Sequence, residues 1–266
     1  MITEMVGPSR PSRVAALTTL VALAVAVITT STSPSTAAGS RRAQPCEIGT
    51  PTAVLISEGD QRAADGRLLA RWDLPEGAVW ESSANPRSGA YGPFRAEVAS
   101  RGVTTDPARI LAASPTFNNR LVLARRARWV GPASCLEKSL YGLQHARVAT
   151  FSEPTEFAAF VLRSHDRRTL RVYWYSVNRN GIGNASPLTD PVRADVTAGW
   201  RPVYALHSHP FHLTDATLNG IVSPSEPDAQ FQLNMARSLG LLEARITNGV
   251  DTVRIPASAF PLFKSE

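Results

Sequence analysis

Trp200-Arg201-Pro202-Val203-Tyr204-Ala205-Leu206-His207-Ser208-His209-Pro210 is followed, after a polar stretch, by Pro224-Ser225-Glu226-Pro227-Asp228. The rest of the chain is best read outward from this segment. Residues 200–206 have the character of a strand, which delivers two histidines at its end. Side chains at i and i+2 on a strand point to the same face. Ser225-Glu226-Pro227-Asp228 opens a helix, with Ser225 as cap and Asp228 completing a capping box. Phe231, Met235 and Leu239 mark the buried face of that helix, and Gly240 is its stop. A strand ending in two imidazoles and a helix start carrying a carboxylate supply three N/O donors. Three such donors with a fourth position left open are what a catalytic zinc site requires.

On either side of this segment the pattern stays regular. Residues 156–162 form an apolar strand. Residues 170–177 form another, with Val172, Trp174 and Ser176 alternating against Tyr173 and Tyr175. The two pair across the polar stretch 164–169. Leu136, Leu140 and Leu143 give residues 133–146 helical spacing, and Asn180-Gly181-Ile182-Gly183 makes a turn. Residues 245–247 and 250–255 flank Asn248-Gly249, a hairpin signal. Residues 52–130 read as β-rich and irregular, with strand character at 53–57, 67–74 and 120–130. They carry no chemical motif, and Glu58, Glu76, Glu81 and Glu97 read as surface carboxylates. The fold class expected is α+β: an α/β/α-like core, a mixed sheet flanked by helices, with a β-rich N-terminal extension.

Arg10 and Arg13 precede an almost wholly Ala, Val, Leu and Ile run at 14–28, and Thr36-Ala37-Ala38 follows. The run is short for a membrane span and suits a secretory signal peptide covering residues 1–38. The expected mature chain is secreted, of about 228 residues, with no stable membrane insertion. The formal charge of +6 falls to about +5 without Arg10, Arg13 and Glu4. Lys138 and Lys264 are the only lysines. The arginines at 125, 126 and 128 and at 163, 167, 168 and 171 lack interleaved aromatic platforms. They read as solvated faces, so no nucleic-acid partner is expected. Cys46 and Cys135 are the two cysteines, and in an exported chain an even count favours a disulfide.

The combination resembles the JAMM (MPN-plus) metalloprotease family, in which a glutamate on an early strand precedes His-x-His-Pro and then Ser-x-x-Asp at a helix start. His207-Ser208-His209-Pro210, Ser225 and Asp228 match the last two parts literally. Glu156 opens Glu156-Phe157-Ala158-Ala159-Phe160-Val161-Leu162 about 50 residues before His207, where the family's glutamate stands. The order of elements over residues 130–256, about half the chain, is also similar. Glu153, beyond Pro154, is the alternative to Glu156. Ala159 stands where the family often has glycine. Eighteen residues separate His209 from Asp228, more than in the family, and the excess contains Thr214, Asp215, Asn219 and Gly220. Residues 211–223 thus form an inserted surface loop or a lid, and His212 and Asp215 are alternative third ligands.

Three segments are expected: a signal peptide at 1–38 and a β-rich N-terminal region at 39–130, both read from composition and patterning, and a JAMM-like metalloprotease domain at 131–266, which the resemblance implies. The resemblance also implies one zinc held by His207, His209 and Asp228, with Glu156 as general base and Ser225 as donor to the oxyanion. The activity it implies is hydrolysis of peptide or isopeptide bonds in a peptide or protein substrate. Two other classes stay open: a non-catalytic MPN-like binding or scaffold module, and a toxin-like secreted effector. His145 and His165 read as surface or helix-packing residues.

Overall fold

The fold was obtained as a computed structural model. It describes residues 45–57, 66–87, 89–126, 129–178, 181–183, 185–212 and 219–264. Residues 1–38, expected to be a signal peptide, lie outside the described residues, as do Glu58, Arg128, Asn180 and Asp215. Residues 42–266 form one compact unit.

The protein is α+β. Among the described residues there are eight strands, β1 (Ala53–Ile56), β2 (Leu68–Pro75), β3 (Trp129–Pro132), β4 (Phe157–Arg163), β5 (Thr169–Ser176), β6 (Arg201–Ser208), β7 (Glu243–Thr247) and β8 (Asp251–Pro256). They form one mixed sheet in the order β1-β2-β5-β4-β6-β7-β8-β3. Only β6 and β7 run parallel; every other neighbouring pair is antiparallel. β4 lies near the middle, is covered on both faces, and is accordingly apolar along nearly its whole length. β4 and β5 pair as the alternation of the second strand indicates, and Asn248-Gly249 closes the β7–β8 hairpin.

The helices are α1 (Tyr91–Arg101), α2 (Pro107–Ala113), α3 (Phe117–Leu123), α4 (Cys135–Arg147), α5 (Ser186–Thr197) and α6 (Glu226–Leu239). α4 packs on one face of the sheet. Its Gln144 exchanges hydrogen bonds with Ser176 and Val177, and its Glu137 meets Arg245 and Thr252. α5 and α6 cover the other face, where Asp195 accepts from Tyr173 at 2.7 Å and Phe231 packs on Phe160. α1 lies against α4 through Gly142, where a Cβ would come within 2.7 Å of the Tyr91 backbone nitrogen. The core is continuous across these layers.

The N-terminal region supplies three strands of the sheet, and also the three helices α1, α2 and α3. Residues 120–123, expected to be extended, form the last turn of α3, whose start is capped by the Thr116 side chain on the Asn119 N–H. Of the Leu-Val-Leu run that suggested a strand, only Val122 is buried in that helix, and Leu123 is exposed. Arg171 is not on a solvated face. It forms ion pairs with Asp73 at 2.6 Å and Asp195 at 2.9 Å and lies over the Trp200 ring. Cys46 and Cys135 are joined, with a Cα–Cα distance of 5.9 Å and a sequence separation of 89. By the chain-entropy model a closed loop of that size contributes about 4–5 kcal/mol.

Candidate metal centre

β6 ends at Ser208, so His207 is on the strand and His209 one residue beyond it, still held by a hydrogen bond from its N–H to the Thr247 carbonyl at 2.9 Å. Thr247 ends β7, and the parallel β6–β7 pairing therefore fixes the direction in which the His-x-His segment leaves the sheet. On the α6 side, Ser225 and Asp228 form a reciprocal capping box. Asp228 Oδ2 accepts from the Ser225 N–H at 2.9 Å and from its hydroxyl at 2.6 Å, and Ser225 Oγ accepts from the Asp228 N–H at 3.3 Å. The cap thus fixes both the helix start and the direction of the carboxylate.

Those two elements bring three ligand atoms together. His207 Nε2 and His209 Nε2 are 3.2 Å apart, and Asp228 Oδ2 is 3.3 Å from the first and 3.4 Å from the second. Among the described residues, His207, His209 and Asp228 are the group of side chains able to hold a metal ion; His212 is not part of it. His209 Nδ1 donates to the carbonyl oxygen of Ile221 at 2.6 Å, which leaves Nε2 as the atom facing the group. A backbone acceptor in this position fixes the ring's orientation and tautomer.

The charges follow from this packing. Burial disfavours the His209 imidazolium, but the hydrogen bond and charge of Asp228, with the charge of Glu156, outweigh it and bring its pKa up to about 9. Burial would raise Asp228, yet His207 and His209 hold it well below the ordinary carboxylate range. Burial raises Glu156 above that range, with partial opposition from the two histidines. Glu156 lines the same cavity as the triad, whereas Glu153 is exposed in the preceding turn.

The long interval between His209 and Asp228 is pinned at both feet. Phe211 is buried and stacks on Phe151 and Phe94, and Gly220 N–H donates to the Pro210 carbonyl at 3.0 Å. Asn248 Nδ2 donates to the Gly220 carbonyl at 2.9 Å. Gly220 has φ +67°, and a Cβ there would lie 2.5 Å from the Phe211 ring, so both backbone and space require glycine. Residues 213–218, with Asp215, lie outside the described residues.

Two contributors carry no motif in the sequence. Asn118, on α3, is buried and donates from Nδ2 to the Pro224 carbonyl at 3.0 Å and to the Lys264 carbonyl at 3.3 Å, and its Oδ1 accepts from the Lys264 N–H at 2.9 Å. It braces the residue next to Ser225. Ile221 contributes only a carbonyl. Neither role has a local signal, because both partners are distant in sequence.

The chain matches no protein-family model, and neither curated proteins nor solved structures show a similar one. What it can do chemically is therefore argued from the site. A cavity of about 640 Å³ opens beside the triad, and Glu156, Phe160, Ser225 and Phe231 are among the residues that line it.

Proposed function

We propose that this chain is a secreted zinc-dependent hydrolase of JAMM type that cleaves peptide or isopeptide bonds in a peptide or protein substrate. The observation that carries the reading is the triangle of 3.2, 3.3 and 3.4 Å formed by His207 Nε2, His209 Nε2 and Asp228 Oδ2. Donors about 2.0–2.1 Å from an ion stand about 3.3 Å apart at tetrahedral angles, but only about 2.9 Å apart at right angles. The spacing therefore suits a tetrahedral ion. Two imidazoles with one carboxylate are a borderline-soft donor set that suits zinc better than calcium or magnesium. The Nδ1 bond from His209 to Ile221 is the outer support expected of a metal-ligating histidine.

Zinc bound there would supply Lewis acidity and a water whose pKa is lowered to about 7. Glu156 is the group placed to take a proton, because it lines the cavity and its burial gives it more basicity than an ordinary carboxylate. It would hold that proton and pass it to the leaving amine. Ser225 Oγ, now donating to Asp228, would turn its hydroxyl proton towards the oxyanion; its backbone N–H keeps Asp228 in place meanwhile. His209 keeps its lone pair directed inward through Ile221. The cavity would seat the substrate and displace water.

The test is the zinc content of the purified mature protein beside Asp228→Ala and His207→Ala. One zinc per chain, lost in both variants, supports the three-ligand site and is followed by assay against peptide libraries. Zinc retained in Asp228→Ala moves the third ligand to His212 or Asp215. No metal in any of them after reconstitution overturns the reading and leaves a secreted binding module.

A further inference from the structure

The cavity does not stop at the triad. Asp228 and Gln232 lie one turn apart on the same face of α6, and His207 and Ala205 lie on the same face of β6. Ala205 stands opposite Phe160 on β4 and Ala244 on β7, while Ala158 stands opposite His207. Three alanines on three adjacent strands thus leave open the space that larger residues would fill beneath α6. Phe160 and Phe231, with ring centroids 6.3 Å apart, are the bulky apolar residues on its wall.

Gln232 lines this apolar space and is 2 % exposed. Neither its Nε2 nor its Oε1 has a hydrogen-bond partner among the described residues, and the same holds for Ser223 Oγ, which lines the same cavity. A buried carboxamide without partners destabilises a fold, and leucine or methionine would fit the same helical position without that cost. The charged and titratable side chains among the described lining residues are Glu156, His207, His209 and Asp228, all at the triad end. Gln232 offers a donor and an acceptor on one planar, uncharged group.

We propose that Gln232 is a specificity-determining residue that reads an uncharged amide of the substrate, donating from Nε2 to its oxygen and accepting at Oε1 from its N–H. An anion placed there would leave Oε1 unsatisfied, a cation would leave Nε2 unsatisfied, and each would lose its hydration against the alanine floor. An amide satisfies both atoms at once. The site therefore takes apolar, amide-bearing segments next to the bond to be cut and rejects charged side chains at this position. The direction of the chemistry rests on the hydrolase reading above; the amide preference is a property of the cavity alone.

The experiment titrates the full mature chain, in EDTA and again with zinc, with hexanamide as probe. It follows the methyl resonances of Ala158, Ala205 and Ala244 and the side-chain NH2 of Gln232. Hexanoate and hexylammonium are run in EDTA, where no ion can capture the carboxylate. Expected are saturable shifts at these groups with hexanamide, with roughly tenfold or weaker binding of both charged analogues, the factor set by one lost hydrogen bond, and a loss at least as large for hexanamide on Gln232→Leu, which removes both bonds. Gln232→Met, matched in length, is the second variant, and both should melt no lower than wild type. No shifts with hexanamide, equal binding of the three probes, or unchanged hexanamide affinity in folded Gln232→Leu or Gln232→Met would each overturn the proposal. Amide binding that depends on Gln232 in a protein that takes up no zinc would uphold it and remove the hydrolase reading; zinc uptake without amide binding would do the reverse.

Discussion

The Nδ1 of His209 lies 2.6 Å from the carbonyl oxygen of Ile221, a residue on the returning limb of the long loop that separates His209 from Asp228. That limb therefore supplies support to the centre. Gly220 sets the path of that limb. Gly220→Ala should push the limb off the Phe211 ring and displace the Ile221 carbonyl. Loss of such outer support typically costs about 10–100-fold in metal affinity. Competition with a chelator of known affinity measures it, and wild-type affinity in Gly220→Ala would remove the limb from the site.

Glu156 and Ser225 separate the chemistry from the scaffold. Glu156→Gln should keep the metal and lose about 10²–10⁴-fold in turnover, the range for a positioned general base. Ser225→Ala removes a cap as well as a donor to the oxyanion. It should cost about 1 kcal/mol of stability and about 10²–10³-fold in kcat. Metal content, urea midpoint and hydrolysis of a fluorogenic peptide, read on both variants, test the division of labour. Turnover that survives in Glu156→Gln would assign the base elsewhere.

On the opposite face of the sheet, Glu137 is fully buried and accepts from the Ser134 N–H at 2.6 Å, from Arg245 at 2.9 Å and from Thr252 at 2.8 Å. Arg245 also pairs with Glu81 and Glu243 and lies over the buried Tyr204 ring. Removing Arg245 leaves the fully buried Glu137 carboxylate without its counter-charge, whereas Arg245 keeps Glu81 and Glu243 when Glu137 is removed. Arg245→Met should destabilise by about 3–5 kcal/mol and Glu137→Leu by less, and the double variant by clearly less than their sum. Denaturant unfolding of all four proteins checks this, and additive losses would show that the pair acts only as packing.

His145 gives the protein an acid-sensitive position away from the metal centre. Burial lowers its pKa, with the Glu97 carboxylate at 3.3 Å pulling the other way, and it packs against Phe94 and Phe151. The folded state therefore binds this proton less readily than the unfolded chain. The resulting stability is present above the unfolded value of about 6.5 and is lost as pH falls through the lower folded pKa. The stability difference between wild type and His145→Gln should shrink as pH is lowered from 7 to about 5. An imidazole titration by NMR should place His145 below the value of about 6.5 for a free imidazole; a midpoint at or above it would refute the assignment.

Much of the neighbourhood of the triad was legible because its signals are local. The strand before His207, the capping box at Ser225 and Asp228, and the Asn248-Gly249 hairpin each declare themselves within a few residues. The β4–β5 pairing follows from alternation on one strand and an apolar run on the other. The helices between residues 91 and 123 were not legible. α1 contains Gly92 and Pro93 and has only weak apolar periodicity, and α3 looks extended because Leu121, Val122 and Leu123 are consecutive aliphatic residues, although its buried residues are Asn118, Asn119 and Val122. α5 was missed because it carries Pro187 and Pro191, residues that ordinarily argue against a helix. Gln232 and Asn118 were illegible for a different reason. Their surroundings are assembled from strands, helices and loops remote in sequence, and a glutamine or asparagine on a helix says nothing by itself.

The strand order has a further consequence. β2 covers β5 on one side of the sheet and β3 covers β8 on the other, so the first 130 residues supply both borders of the half that carries the histidines. Cut away, that half would present two naked borders, one of them the sequence Thr169-Leu170-Arg171-Val172-Tyr173-Trp174-Tyr175-Ser176. An open row of backbone donors and acceptors flanked by aromatic side chains is a template for intermolecular pairing. The part of this chain that looks most transferable is thus the part least suited to being transplanted: grafted alone into another protein, it would recruit copies of itself before it recruited a metal.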